Sequence, residues 1–306
     1  MSDDVRVAVD GRTLKLSNLD KVLYPGAGIT KGEVLDYYAR VSPVLLPHLA
    51  DRALTRIRWP NGTAEGSFFE KNMPSGAPSW LRRVSFEPGD RMGTRGSGEP
   101  VTYPVVDGLA ALTYLVNLAS LELHVHQWTV DRKGRPRNPN RLVVDLDPGP
   151  PAGLAECCRV ALLAREKLSA QGLATVPVSS GSKGLHLYAA LPGNESADEV
   201  RDRAQQVAKE LSAEHGDLVL WQMTKAKRPG KVFVDWSQNT AAKTTVSPYS
   251  LRGRDRPFVA APRTWSEVED GAQDADGMSH LLMGEVLERV ERSGDLFGDL
   301  LAEEVP

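Results

Sequence analysis

The alternation of apolar and polar residues along this chain predicts a mixed α/β protein. Short runs with a two-residue period, or with continuous apolar side chains, are typical of β-strands and occur at 5–16, 53–59, 121–126, 141–148, 174–180, 185–190 and 231–236. Segments with apolar residues three and four apart are typical of amphipathic helices and occur at 30–43, 108–120, 152–171 and 196–214. The C-terminal residues 265–306 predict one or two further helices. Strands and helices therefore alternate over most of the chain, which favours the α/β class.

Residues at the ends of these segments indicate where some elements begin and stop. Thr30 and Glu33 have the spacing of a capping box, which predicts the start of a helix that runs to about Pro43. Gly172 predicts the end of the third helix. The segment 87–100 is rich in glycine, arginine and proline, and therefore predicts a surface loop.

Length and composition indicate a globular protein. With 306 residues, of which 41% are hydrophobic and 25% charged, the chain is long enough to bury a core and to form one large domain or two ordinary ones. The sequence shows no secretory signal and no apolar run long enough to span a membrane, so we expect a cytoplasmic protein with no membrane partner. The two cysteines are neighbours, Cys157 and Cys158, and their spacing indicates neither a disulfide nor a zinc site.

Charge is distributed unevenly along the chain. Residues 264–306 carry 12 acidic and 2 basic side chains, a net charge of −10, whereas the whole chain has a net charge of −3. The other 263 residues therefore have a net charge of +7, with basic clusters at 132–141, 225–231 and 252–256. This asymmetry suggests a body that binds a polyanion beside an acidic flank, although solvated loops would explain any single cluster equally well.

The run Arg141–Pro148 is the strongest candidate for a functional strand. Four residues that favour a strand lead into Asp145 and Asp147, which share one face of the strand about 6.6 Å apart because side chains alternate. This spacing suits two carboxylates that hold a pair of divalent cations about 3.5–4 Å apart, as in phosphoryl-transfer sites. Taken alone, the same pattern also fits a strand end whose aspartates cap a helix or lie in solvent.

Three further features support the catalytic interpretation. A third strand-borne carboxylate, Asp235, ends the apolar run 231–235. The turn at 179–184 combines serine hydroxyls, glycine backbone and Lys183, groups that together bind phosphates, although an ordinary hairpin turn would use the same residues. Phe68 and Phe69 are adjacent, so on extended chain they point in opposite directions. We expect one to pack and the other to be available for stacking on a base.

As a set and in this order, the motifs resemble the polymerase domain of bacterial non-homologous end-joining DNA ligases, a branch of the archaeo-eukaryotic primase superfamily. The resemblance covers roughly residues 10–300 and depends on these runs: LDKVLYP, FFEKN, TYPV, LELH, VVDLDP, SSGSKGLHLY, VFVDWSQN and SPYSLR. It implies that 1–306 form a single catalytic domain, with a primase-like fold that has central mixed sheets and one subregion similar to an RNA-recognition motif. It also implies a template-dependent nucleotidyltransferase of DNA repair that fills gaps or joins broken ends, accepts ribonucleotides readily and has some primase activity.

The resemblance also implies roles for individual residues. It assigns the cofactor, two divalent ions (Mn²⁺ or Mg²⁺), to Asp145, Asp147 and Asp235, which are then the catalytic residues. It assigns the incoming nucleoside triphosphate, NTP or dNTP, to a second group, namely Ser180, Lys183, His124, Arg252 and Gln238. It assigns DNA to a third group, in which Lys21 and Lys31 contact a 5′-phosphate and Phe68 and Phe69 stack on template bases. Ku and a DNA ligase are the candidate protein partners.

Several alternatives are open at this stage. A non-catalytic module that binds or bridges DNA ends would need the lysines and phenylalanines but not the three aspartates. A glycosyltransferase with a DxD motif would also use metal and a nucleotide diphosphate, but the third carboxylate and the SGSKG turn disfavour it. The sequence contains no fused ligase or phosphoesterase segment, so a stand-alone protein and a part of a longer protein are both open. Gap filling and end joining are not distinguished either.

Overall fold

The computed structural model of this chain describes residues 4–87, 99–298 and 300, so most of the loop predicted over 87–100 lies outside the described residues. The described residues form six α-helices: α1 (Lys31–Leu49), α2 (Leu109–Asn117), α3 (Leu154–Ser169), α4 (Ala197–Glu214), α5 (Trp265–Gln273) and α6 (Met283–Ser293). Two short 3-10 helices lie at Lys225–Lys227 and at Trp236–Asn239.

Eighteen short strands complete the described residues and alternate with the helices, which confirms the mixed α/β class. The strands are β1 (Val5–Val9), β2 (Arg12–Leu16), β3 (Val22–Tyr24), β4 (Ile29–Thr30), β5 (Leu54–Arg58), β6 (Phe68–Glu70), β7 (Arg83–Phe86), β8 (Val101–Pro104), β9 (Ser120–Val125), β10 (Trp128–Val130), β11 (Pro136–Pro139), β12 (Arg141–Pro148), β13 (Thr175–Ser179), β14 (Leu185–Ala190), β15 (Val219–Leu220), β16 (Val232–Asp235), β17 (Thr245–Val246) and β18 (Ala261–Pro262).

The larger sheet has the strand order β15-β16-β12-β14-β13-β18, with β12 antiparallel to both of its neighbours. Four of these strands and two helices follow one another along the chain as β12-α3-β13-β14-α4-β16, with the short β15 and the 3-10 helix Lys225–Lys227 between α4 and β16. Numbered in chain order, these four strands lie in the sheet as 4-1-3-2. This is the β-α-β-β-α-β arrangement of ferredoxin-like and RNA-recognition-motif domains.

The alternation of side chains along β12 explains why its two aspartates face a cleft. Leu142, Val144 and Leu146 belong to a buried core that α3 and α4 supply from one face of the sheet. The intervening Asp145 and Asp147 must therefore project from the opposite face, because side chains alternate along a strand. Packing of the apolar residues against the helices thus fixes the direction of both carboxylates.

A second sheet, with the order β17-β9-β5-β6, lies in the N-terminal half. Its strands pack with α1 and α2 in the largest apolar core, to which α1 contributes residues such as Tyr37, Tyr38 and Val41. Strand β17 belongs to this sheet although it follows β16 in the chain. The chain therefore crosses between the two sheets after Asp235, which brings their edges to the same cleft.

Two expectations about local structure are wrong. Helix α1 has the predicted capping box at Thr30, but it continues past Pro43 to Leu49. A proline cannot donate to the carbonyl four residues earlier, and here the hydroxyl of Ser42 donates to that carbonyl, on Ala39, at 2.8 Å. Arg141 does not belong to a surface cluster, because it is buried with its guanidinium 5.1 Å from the centre of the Phe297 ring.

Within the described residues, none of the helices combines the length and the apolar character that crossing a membrane would require.

Candidate metal and nucleotide site

Asp145, Asp147 and Asp235 converge on one point of the cleft. Strand pairing places Asp145 directly opposite Asp235, and Asp147 follows on the same face of β12. Each of the three offers a carboxylate oxygen, and these oxygens all lie within 4.8 Å of one another. Three carboxylates this close would repel one another strongly without a cation between them. The arrangement is therefore suited to divalent cations, and oxygen is the ligand that Mg²⁺ and Mn²⁺ prefer.

The electrostatics of Asp147 reflect this crowding. Burial, together with the neighbouring charges of Asp145 and Asp235, raises the pKa of the Asp147 carboxyl from its usual 3.8 to about 6. His186 lies on the neighbouring strand β14, opposite Asp145, and its Nε2 is 3.3 Å from Asp145 Oδ1. His186 is therefore in direct contact with the aspartate triad.

Asp235 is held by the segment that follows it. The backbone N–H of Ser237 donates to Asp235 Oδ1 at 3.1 Å, and the Ser237 hydroxyl donates to the same oxygen. Gln238 Nε2 donates to Oδ2 at 3.2 Å, and Lys243 Nζ lies 3.4 Å from Oδ2. Gln238, predicted as a nucleotide contact, therefore also orients a carboxylate of the triad.

The turn between β13 and β14 accommodates only glycine at two of its positions, Gly181 and Gly184. The Ser180 hydroxyl accepts the N–H groups of Ser182 and Gly184 at 3.3 and 3.1 Å, which closes the turn. Gly181 has a φ of +64°, in the left-handed region that favours glycine. A Cβ on Gly184 would lie 1.9 Å from the Leu146 carbonyl oxygen on β12. The turn is therefore packed directly against the strand that carries Asp145 and Asp147.

His124 and Arg252 enter the cleft from the side of the N-terminal sheet. His124 lies on β9, and Arg252 Nη1 donates to the Ser180 carbonyl oxygen at 2.8 Å. Both side chains also contact Glu122, whose Oε2 is 2.8 Å from His124 Nε2 and whose Oε1 is 3.1 Å from Arg252 Nε. Burial lowers the pKa of His124, which makes the neutral ring more stable than in solution.

One open cavity, of about 360 Å³, is lined by two of the three aspartates and by the residues predicted to contact a nucleotide. Its lining includes the β12 aspartates and all five residues predicted to contact the nucleotide: Asp145, Asp147, Ser180, Lys183, His124, Arg252 and Gln238. Residues that are more than 100 positions apart in sequence thus meet around one space. Asp145 and Asp147 therefore share this cavity with the cations Lys183 and Arg252.

Lys21 and Lys31 line a different cavity, of about 250 Å³, together with Arg58. Lys31 Nζ donates to the Ser17 carbonyl oxygen at 2.5 Å, and Lys21 Nζ donates to Asn61 Oδ1 at 3.3 Å. Burial, and after it the charge of Lys21, lowers the pKa of Lys31 from 10.5 to about 8. Three cationic side chains are therefore concentrated around a space that suits a phosphate group.

The expectation that one of Phe68 and Phe69 packs into a core is wrong. Their exposed fractions are 55% and 58%, so both rings are available to a ligand. They lie on β6, which is one of the two edge strands of its sheet. Phe69 lines a cavity of about 510 Å³ with Arg58 and Lys71. Because Arg58 also lines the cavity of Lys21 and Lys31, the exposed rings are adjacent to the lysine pair.

The structure also brings three residues to the site that sequence reasoning did not assign to it: Glu122, His186 and Lys243. Glu122 lies two residues before His124 on the same face of a strand, and His186 lies in the glycine-rich motif run. The two-residue period of strands could have identified Glu122 beside His124, and the position of His186 within the motif run could have identified His186. Lys243 has no such signal, because its approach to Asp235 depends on the loop after Trp236–Asn239.

Comparison with known proteins gives consistent results. The family model described as LigD, primase-polymerase domain, matches residues 30–297. The multifunctional non-homologous end joining protein LigD of Mycolicibacterium smegmatis is 47% identical over 290 residues, which cover 95% of this chain and 36% of that protein. The bifunctional non-homologous end joining protein LigD of Bacillus subtilis is 31% identical over 94% of this chain and 44% of that protein.

A solved structure gives the same result at the level of the fold. The polymerase domain from Mycobacterium tuberculosis ligase D, in complex with DNA, matches with a TM-score of 0.86 and 45% sequence identity, over 95% of this chain and 99% of that chain. The chain therefore spans nearly all of a solved domain, but less than half of the length of the curated relatives it matches.

Proposed function

Because this chain belongs to the family of LigD primase-polymerase domains, and is therefore a DNA-directed nucleotidyltransferase, we propose that it extends DNA 3′ ends at short gaps or broken ends with Asp145, Asp147 and Asp235 as its catalytic residues. The proposal takes residues 1–306 as one catalytic domain. The observation that carries it is the convergence of three carboxylates beside a cavity lined by Lys183 and Arg252.

The donor set of the triad fits the two divalent cations that such a reaction uses. Three carboxylates supply hard oxygen ligands, and substrate phosphates complete the coordination of Mg²⁺ or Mn²⁺ in sites of this kind. When bound, the cations lower the pKa of the attacking 3′-hydroxyl and stabilise the pyrophosphate that leaves. Ser237 and Gln238 hold Asp235 in place through their hydrogen bonds, so this ligand is oriented before a cation binds.

The remaining residues of the cavity bind and orient the triphosphate. Lys183 supplies positive charge where the leaving group gains negative charge, and Ser180 lines the same cavity with a hydroxyl that suits a phosphate oxygen. Arg252 and His124 approach from the opposite sheet, so the nucleotide would be held between the two sheets. Binding of this kind depends on the phosphates, and it therefore suits ribonucleotides and deoxyribonucleotides of any base.

The lysine cavity and the exposed rings support a DNA site beside the catalytic cleft. Lys21 and Lys31 would hold the 5′-phosphate on the far side of a gap or break, and Phe68 and Phe69 would stack on template bases without sequence preference. We propose DNA ends or gaps as the substrate, Ku and a DNA ligase as partners, and the bacterial cytoplasm as the location. This set of partners suits the non-homologous end joining that the names of the relatives state.

The test is extension of a 5′-labelled primer across a short gap, with Mn²⁺ or Mg²⁺ and each class of nucleotide. We expect Asp145→Ala and Asp147→Ala to abolish extension, because removing a metal ligand removes stabilisation of the transition state, while DNA binding stays close to that of the unmodified chain. Asp36→Asn, which changes an exposed carboxylate on α1, is the matched control and should extend normally. Normal extension by the two alanine variants would exclude the proposed catalytic role.

A further inference from the structure

We propose that Glu122 is a positioning residue for the nucleotide, which sets the orientation of both His124 and Arg252 at the triphosphate. The proposal rests on the proposed function, since it takes those two side chains as nucleotide contacts. Glu122 does not line the cavity itself, and its residue is only 4% exposed. It therefore acts through its neighbours rather than by touching the substrate.

The two carboxylate oxygens of Glu122 have separate partners. Oε2 accepts the hydrogen bond from His124 Nε2 at 2.8 Å. Oε1 accepts the backbone N–H of Gly253 at 3.0 Å and lies 3.1 Å from Arg252 Nε. Although burial alone raises the pKa of this carboxyl, the bond from His124 and the charge of Arg252 lower it to about 2, so the group is an ionised acceptor at neutral pH. Because an ionised carboxylate can only accept, Nε2 of His124 must carry the proton of this hydrogen bond.

Arg252 is held at both ends of its guanidinium, from both sheets. Nε faces Glu122 on β9, whereas Nη1 donates to the Ser180 carbonyl oxygen in the phosphate-binding turn at 2.8 Å. The backbone is fastened too, because Tyr24 Oη donates to the Arg252 carbonyl oxygen at 2.9 Å. Glu122 thus links the N-terminal sheet to the turn that carries Ser180 and Lys183.

The next residue shows how closely this segment fits the N-terminal sheet. A Cβ on Gly253 would lie 2.1 Å from the ring of Trp59, which follows β5. The segment from Arg252 to Gly253 is therefore packed closely against the N-terminal sheet, and Glu122 is one of the polar groups that hold it there. A long arginine side chain loses much rotamer freedom on binding a ligand, so an arginine held in place beforehand binds phosphate more tightly.

A buried carboxylate beside a triphosphate site is unfavourable by charge alone, because both groups are negative. Its presence is explained by orientation: a carboxylate accepts from His124 and from the Gly253 N–H, and its charge also pairs with Arg252. A neutral side chain of the same size does not do all three. Glu122→Gln leaves one carbonyl oxygen and introduces an N–H₂ group facing His124 Nε2. That substitution keeps the volume of the side chain but removes one of its two acceptors.

The experiment measures nucleotide binding and turnover separately. For Glu122→Gln we expect the KM for the nucleotide, and the dissociation constant of Mn²⁺-nucleotide from calorimetry, to rise about tenfold, the value of a hydrogen bond to a charged group. We expect kcat and the affinity for gapped DNA to change less than about threefold. Glu291→Gln, which removes a surface ion pair to Arg40, is the control and should change none of these quantities.

A double-mutant cycle with Arg252→Lys tests whether Glu122 acts through Arg252. If it does, Glu122→Gln adds little to the defect of Arg252→Lys, because the oriented guanidinium is already absent. Glu122→Asp provides a second variant, which keeps the charge but withdraws the carboxylate by one methylene, and it should show the same defect in KM. Fully additive effects, or an Asp variant with an unchanged KM, would exclude the positioning role.

The two proposals fail in different ways. If the unmodified chain binds nucleotide but does not extend a primer, the proposed function fails, and calorimetry still tests Glu122. If extension is normal and the Glu122 variants bind nucleotide normally, only the positioning role fails.

Discussion

Gly184 offers a sharp test of how closely the turn at 179–184, the proposed phosphate site, must approach β12, the strand proposed to be catalytic. Its N–H donates to the Ser180 hydroxyl, and its carbonyl oxygen accepts the N–H of Ser180. The added methyl group in Gly184→Ala would lie 1.9 Å from the Leu146 carbonyl oxygen and 3.2 Å from Cδ of Pro148. Leu146 lies between Asp145 and Asp147, so the clash is with the strand that carries the triad.

The magnitude follows from that distance. Carbon atoms of this kind do not approach an oxygen closer than 3.0 Å, so the turn must move away from β12 by about 1 Å. No change of rotamer relieves the clash, because both partners belong to the backbone or to a methyl group. A displacement of about 1 Å at a catalytic site costs on the order of 100-fold in rate. The cost to the free energy of unfolding is about 1–3 kcal/mol, as for other overpacked sites.

The assay is kcat/KM for addition of one nucleotide at a gap, measured below the unfolding temperature of the variant. Gly284→Ala is the matched control, because a Cβ there meets nothing within 4 Å, and alanine within a helix is favoured over glycine by about 0.5–1 kcal/mol. We expect the control to keep full activity with a slightly raised melting temperature. A Gly184→Ala protein with kcat/KM within about threefold of the unmodified chain would refute the reasoning.

Three further predictions concern DNA binding and metal binding. Lys21→Ala or Lys31→Ala should reduce the preference for 5′-phosphorylated over unphosphorylated gaps by about tenfold, because each removes a charged phosphate contact. Gel shift measures this preference, and equal losses of affinity for the two substrates would contradict the assignment. Phe68→Ala and Phe69→Ala should each weaken binding to gapped DNA by about 1–3 kcal/mol. The melting temperature of the protein should not change, because both rings are exposed, and a large fall would instead indicate that the ring packs in the fold. Mn²⁺ affinity, measured by calorimetry, should fall as the pH drops through about 6. The pKa of Asp147 is raised to about 6, so protons then compete with the cation for this carboxylate. Constant affinity from pH 7 to 5 would show that this carboxyl is not a ligand.

Much of the catalytic strand and its surroundings could be predicted from sequence because the signals are local. The two-residue period of β12 places Leu142, Val144 and Leu146 on one face of the strand and Asp145 and Asp147 on the other. Because the three apolar residues pack against helices, the direction of the two carboxylates is fixed. The order of strands and helices around β12 likewise follows from a regular alternation in the chain. The structure confirmed both.

Other features depend on tertiary contacts, and local patterns do not encode them. The predicted end of α1 at Pro43 was wrong, because the Ser42 hydroxyl donates to the carbonyl that Pro43 leaves without a donor, and the helix continues to Leu49. The exposure of both phenylalanines depends on the position of β6 at the edge of its sheet, and that position is set by strand pairing over long separations. Lys243 reaches Asp235 only through the path of a loop, which no periodicity describes.

The most direct measurement of the central claim is the anomalous scattering of Mn²⁺ in a crystal grown with a non-hydrolysable nucleoside triphosphate. We predict two peaks about 3.5–4 Å apart, bound to Asp145, Asp147 and Asp235, with the triphosphate between the metals and Lys183. A crystal with ordered triphosphate but with no manganese at these three carboxylates, or with manganese bound elsewhere, would contradict the account.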